Sequence, residues 1–131
     1  MGIVGLSFMP EDLTVPVSRI AEFLNKCQDI SRTRGLVILN FGHAGDGNFH
    51  TNTLYDPANT SHVAALEPTR YDLHKLACEL GGTLSGEHGI GKTKAGFMHL
   101  EHDPVSLDVM RRLKRALDPN NILNPGKMAL E

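Results

Sequence analysis

Apolar residues recur along this chain with two different periods, and the switches between them mark out its elements. The stretch EDLTVPV (11–17) alternates weakly and reads as a short strand, with Pro16 closing it or marking a sheet edge. From Ser18 the period changes: Ile20, Phe23, Leu24, Cys27 and Ile30 fall on one helical stripe, with Ser18 as N-cap and Gly35 as the stop. This spacing predicts a helix over 19–33. LVILNF (36–41) then reads as a strand, and NFHTNTLY (48–55) as a second one after a glycine-rich turn. Leu73, Leu76, Ala77 and Leu80 share a face of a helix over 61–80, which Pro68 either starts or kinks. GGTLSGEHGIGK (81–92) is too glycine-rich for anything but loop or short strand. A last helix begins at Asp103 as cap with Pro104 at its first position, and carries Val105, Met110, Leu113 and Leu117 on one side. The tail DPNNILNPGKM is punctuated by Pro and Gly and is expected to pack as an ordered, irregular segment. The order β-α-β-β-α-(β)-α implies an α+β fold, with helices packed on one face of a largely antiparallel sheet, as in a ferredoxin-like half-domain.

At 131 residues the chain is expected to form a single domain, 1–131. Its 40% apolar and 21% charged residues are ordinary globular values. A formal net charge of −2 offers no attraction to nucleic acid, and RRLKR (111–115) reads as the solvated face of the last helix. Cys27 and Cys78 match no metal or redox spacing and read as reduced thiols of a cytoplasmic protein, Cys27 on a buried stripe. No apolar run is long enough to cross a bilayer, and no signal-peptide pattern is present.

The candidate chemistry sits in FGHAGDGNFH (41–50). Asp46-Gly47 is a favoured two-residue hairpin turn; with that loop, Gly45 faces Asn48 and His43 faces His50. Directly opposed residues share a sheet face with Cβ atoms about 5 Å apart, so the two rings could hold one ion between them. Asn52 would lie beside His50 on the same face. A slip of one residue would send the rings to opposite faces. From spacing alone, ordinary polar surface is the better reading. Glu87-His88, a second glycine-embedded pair, tips the balance by adding a carboxylate ligand and a spare base, the composition of catalytic Zn and non-haem Fe sites. GEHGIGKT (86–93) also matches the phosphate-binding pattern G-x-x-x-x-G-K-[ST], but no strongly apolar strand precedes it, which argues against a nucleotide hydrolase.

GHAGDGNFHTN, GGTLSGEHGIGKTK and LKRALDPNNILNPGKM, in that order, resemble the C-terminal portion of the FAD-linked oxidases, the group that holds D-lactate dehydrogenase, the glycolate oxidase FAD subunit and D-2-hydroxyglutarate dehydrogenase. The resemblance runs from about Glu11 to Met128; the opening MGIVGLSFM matches nothing recognisable. It implies that His43, His50 and Glu87 ligate a divalent metal, for which Zn, Mn and Fe are all suitable. It further implies that His88 is the base, that Asn52 touches a small 2-hydroxy-acid substrate, and that Asn124 reaches the flavin of an FAD-dependent oxidoreductase. The family's FAD-binding domain precedes this region and is absent from the chain. The expectation is therefore a C-terminal piece that does not hold FAD tightly by itself and works with an FAD-binding domain of the same or another chain. A non-catalytic metal- or ligand-binding module acting with such a partner is the competing expectation. A piece exposing a former interface is also liable to form homo-oligomers. The implied location is cytoplasmic, with peripheral attachment to the inner face of a membrane left open.

Overall fold

The computed structural model describes residues 5–130 and gathers into two compact units, one ending at Glu87 and the other beginning at His88. The first unit holds β1 (Ser7–Thr14), α1 (Ile20–Arg34), β2 (Val37–His43), β3 (Asn48–Tyr55) and α2 (Thr60–Glu79). The second holds a short 3₁₀ segment, Ala95–Leu100, and α3 (Pro104–Leu117).

The three strands form an antiparallel sheet in the order β1-β3-β2. β1 and β2 are therefore parallel with β3 inserted between them, the split βαβ arrangement of ferredoxin-like folds. The strand expected after α2 shrinks to one bridge, in which Thr14 and Thr83 exchange N–H···O bonds of 3.3 and 2.9 Å on the outer edge of β1. Side chains alternate across the sheet. Leu13, Phe49 and Ile38 point to one face, where they meet Phe23 and Cys27 of α1 and Leu73, Leu76 and Ala77 of α2. The helices thus cover one face, as the pattern implies. On the other face Phe8, Val37, Leu39 and Phe41 are exposed.

Several boundaries move for local reasons. β1 begins at Ser7 and ends at Thr14. It includes Pro10, which is tolerated because β1 lies at the edge of the three-stranded sheet. Ser18 is not the N-cap of α1, because Val17–Arg19 form a 3₁₀ turn and Arg19 takes the cap position without a side-chain bond. Pro68 does not start α2. Asn59 caps that helix by accepting from the N–H groups of Ser61 and His62, and the helix runs through the proline. Asp103 caps α3 as expected, accepting from the Ser106 N–H at 2.7 Å. The tail is ordered by Asp118, whose carboxylate accepts from the Ile122 and Leu123 N–H groups, both at 2.9 Å.

One charged cluster lies beneath the sheet. Glu11, at the helix-facing side of β1, receives Arg70 Nε at 2.5 Å and faces His74 Nε2 at 3.3 Å, both from α2. Burial alone would raise the Glu11 pKa, but the hydrogen bond and charge of His74 and the Arg70 guanidinium outweigh it and hold the carboxyl below its usual range.

Candidate metal centre

The turn between β2 and β3 sets the geometry of the site, and it is not the two-residue turn that Asp46-Gly47 suggests. His43 pairs with Asn48 and Phe41 with His50, leaving a four-residue loop. The His43 carbonyl accepts from the Asp46 N–H at 3.2 Å and the Gly47 N–H at 3.0 Å, and the Asp46 carboxylate accepts from the Asn48 N–H at 3.1 Å. Only Gly47 of the two adopts positive φ, at 78°. A Cβ there would lie 1.9 Å from the Val15 carbonyl oxygen, so the loop is pressed against the end of β1 and glycine is required.

His43 and His50 are therefore not directly opposed. They are diagonal neighbours, because the pairing is offset by two residues from the expected one. An even offset preserves the face. The rings meet edge to face with centroids 5.9 Å apart, and Phe41, directly opposite His50 on β2, packs on His50 at 5.5 Å. Asn52 follows on the same face, as expected, between Leu39 and Pro10.

Glu87 reaches this pair from the loop after α2. Its Oε1 lies 3.3 Å from His50 Nε2. Two features seat that loop. Gly86 lies so close to Asn48 and Thr14 that a Cβ would fall 2.3 Å from Asn48 Oδ1 and 2.5 Å from Thr14 Oγ1. Asp12, buried on β1 directly across from His50, accepts from Ser85 Oγ at 2.7 Å and from the Glu87 N–H at 3.1 Å through the same Oδ2. Asp12, Ser85, Asn48 and Thr14 carry no metal-ligand pattern in sequence. Their one signal is the pair Glu11-Asp12: neighbours on a strand face opposite ways, so two adjacent acids put a carboxylate on each face of the sheet.

One ligand atom from each of His43, His50 and Glu87 lies within 4.8 Å of the others. Atoms about 2.0–2.2 Å from one ion lie no more than about 4.4 Å apart, so separations within 4.8 Å are near what a shared ion requires. Two imidazoles and one carboxylate suit a divalent transition metal and leave coordination positions open for a substrate. The set therefore fits the group the sequence implies. His43 and Glu87 are exposed and His50 is half-buried, so the site opens on the uncovered face of the sheet.

His88 and Asn124 belong to the second unit, and both are exposed there. Asn124 adopts positive φ, at 52°, in the turn that precedes Pro125. The nucleotide-binding pattern at 86–93 fails structurally. It is preceded by a single antiparallel bridge instead of a parallel strand, and followed by a 3₁₀ segment instead of an α-helix, so it lacks the cradle that binds phosphate.

Residues 2–128 match the C-terminal domain of the FAD linked oxidases. The chain belongs to this family. The match reaches back past Glu11 into the opening segment MGIVGLSFM, of which residues 1–4 lie outside the described structure. Among curated relatives, the chain is 43% identical over 118 residues to the glycolate oxidase subunit GlcD of Bacillus subtilis, covering 90% of this chain and 25% of that protein. It is 40% identical to a D-lactate dehydrogenase of Archaeoglobus fulgidus, covering 89% of this chain and 26% of that one. A 4-ethylphenol oxidase from Gulosibacter chungangensis, solved with isoeugenol, is similar in fold with a TM-score of 0.58 and 25% identity, over 95% of this chain and 24% of that one. The chain thus spans about a quarter of the length of the relatives it matches. No helix among the described residues is long and apolar enough to cross a membrane.

Proposed function

We propose that this chain is the metal- and substrate-binding part of an FAD-dependent oxidoreductase that oxidises a small D-2-hydroxy acid, of the glycolate or D-lactate type, to the 2-oxo acid. The observation that carries this reading is the convergence of His43, His50 and Glu87, with ligand atoms within 4.8 Å of one another on an open sheet face. Relatives described as glycolate oxidase and D-lactate dehydrogenase support the substrate class.

Removing two electrons from a 2-hydroxy acid takes a proton from its hydroxyl and a hydride from Cα; bound FAD supplies the hydride acceptor and a bound divalent cation makes the hydroxyl more acidic. This chain's residues do the rest. His43, His50 and Glu87 would hold the cation, which would supply Lewis acidity toward the substrate. Asn52, next on the same strand face as His50, hydrogen-bonds the substrate. His88 accepts the hydroxyl proton on a ring nitrogen, and Asn124 contributes to the flavin environment.

Metal content and turnover test the assignment together, in the polypeptide that joins this chain to its flavin-binding part. His43→Ala and His50→Ala should each abolish stoichiometric metal, measured by elemental analysis. Glu87→Gln should lower metal content and activity together. His88→Asn should keep the metal and lose roughly 10²–10⁴-fold in turnover, the usual worth of a positioned base. Full metal content in both histidine variants would refute the ligand set, and loss of metal in His88→Asn would refute its role as base.

A further inference from the structure

Resting on that metal reading, we infer that Asp12 is a positioning residue for the site: it holds the Glu87 ligand in place through the backbone without touching the ion itself. The loop 81–87 has no strand or helix of its own, so something else must fix the one carboxylate it delivers. Asp12 is 1% exposed and lies on β1 directly across from His50. Its Oδ2 accepts from both the Ser85 hydroxyl at 2.7 Å and the Glu87 N–H at 3.1 Å. One oxygen on a rigid strand thus ties down two alternate residues of the loop, and Glu87 Oε1 comes to rest 3.3 Å from His50 Nε2.

The same β3 residue fixes both halves of the arrangement. His50 is the cross-strand partner of Asp12, so strand pairing sets the distance between the ligand on the sheet and the anchor of the ligand on the loop. Close packing of Gly86 on Asn48 and Thr14 leaves the loop little room to settle elsewhere. Hydrogen bonds to such outer partners typically contribute 10–100-fold to metal affinity, because a ligand already in place does not have to be ordered when the ion binds.

Asp12→Ala and Asp12→Asn separate position from charge, since Asn retains an oxygen that can accept both bonds. In the full chain, the dissociation constant for Mn²⁺ or Zn²⁺ and the exchange rate of the Glu87 amide by NMR are to be measured for both variants and for Ser85→Ala. Asp12→Ala should weaken metal binding by about 10–100-fold and speed exchange at Glu87, while core amides such as Phe49 and Leu73 stay protected. Asp12→Asn should recover most of the affinity and the slow exchange. Ser85→Ala, which removes one of the two tethers without burying or freeing a charge, should fall between them and serves where Asp12→Ala does not fold. An Asn variant as weak as Ala with Glu87 still protected would mean that only the charge matters, and would overturn the inference. So would wild-type affinity in Asp12→Ala or in Ser85→Ala. If the wild-type chain binds no metal, the ligand reading fails by itself; slow Glu87 exchange in wild type and Asn, lost in Ala, would still establish that Asp12 holds the loop, and unchanged exchange would remove it.

Discussion

Replacing Gly47 by alanine should be far more damaging than the same change two residues earlier. At Gly47 the backbone has φ 78°, a conformation that costs a residue with a Cβ about 1–2 kcal/mol. The new Cβ would also stand 1.9 Å from the Val15 carbonyl oxygen, against roughly 3 Å or more for an ordinary contact, so the loop or the end of β1 must shift by about 1 Å. Overpacking of that kind costs about 1–3 kcal/mol. The shift also strains the bond of 3.1 Å that the Gly47 carbonyl accepts from the Val15 N–H. Together the terms give a loss of about 2–5 kcal/mol, a large part of the 5–15 kcal/mol typical of a domain. Gly45 differs on every count: a Cβ there meets nothing within 4 Å, and its φ is not positive. Gly45→Ala should be neutral, or stabilising by up to about 1 kcal/mol through the unfolded chain. Urea denaturation of the two variants in parallel reads the difference, and metal titration of Gly47→Ala should show weakened binding because the hairpin carries both histidines. Equal stability of the two variants would refute the four-residue loop and its packing against β1.

Glu11→Gln should destabilise the fold by about 3–5 kcal/mol near neutral pH, since it leaves Arg70 and His74 facing a neutral group in a buried cluster. Glu11 has a lowered pKa in the folded state, so its contribution is complete above the unfolded value of about 4.5 and fades as pH falls through the folded one. The stability gap between wild type and Glu11→Gln, followed by denaturation from pH 7 to pH 3, should therefore narrow only on the acid side; a gap that instead widened toward low pH would contradict the pairing. Cys27 is fully buried, and that burial pushes its thiol up to about 12 despite a hydrogen bond with Asn40. Iodoacetamide at pH 8 should accordingly leave Cys27 unmodified in the folded chain and alkylate it in urea, as mass spectrometry of the peptides would report.

Periodicity alone located most of the first unit. β3 runs over Asn48–Tyr55 as the alternation of NFHTNTLY indicates, α1 lies within a residue of the expected 19–33, and the helix-covered face follows from Leu13, Ile38 and Phe49; in the second unit α3 begins at Pro104 as its cap and proline imply. These are properties of near neighbours, and the chain writes them locally. The capping of α1 was less legible, because a 3₁₀ turn uses the same polar residues as an N-cap. The hairpin register departs from the expected one for a similar reason: Asp46-Gly47 suits a type I′ turn, but Gly47 is held by a hydrogen bond from the Val15 N–H, just past the end of β1, and packs too closely on Val15 to carry a Cβ, contacts that no window around the turn contains. The two histidines still share a face because side chains alternate with period two and the register differs by an even number. Their approach to Glu87 is another matter. That carboxylate lies 37 residues beyond His50 in the chain and comes to it through a bridge at Thr14–Thr83, the close seat of Gly86 and two hydrogen bonds to buried Asp12. The residue types of the site are thus a matter of sequence, while its distances depend on β1, an element distant in the chain that both the hairpin and the Glu87 loop must pack against.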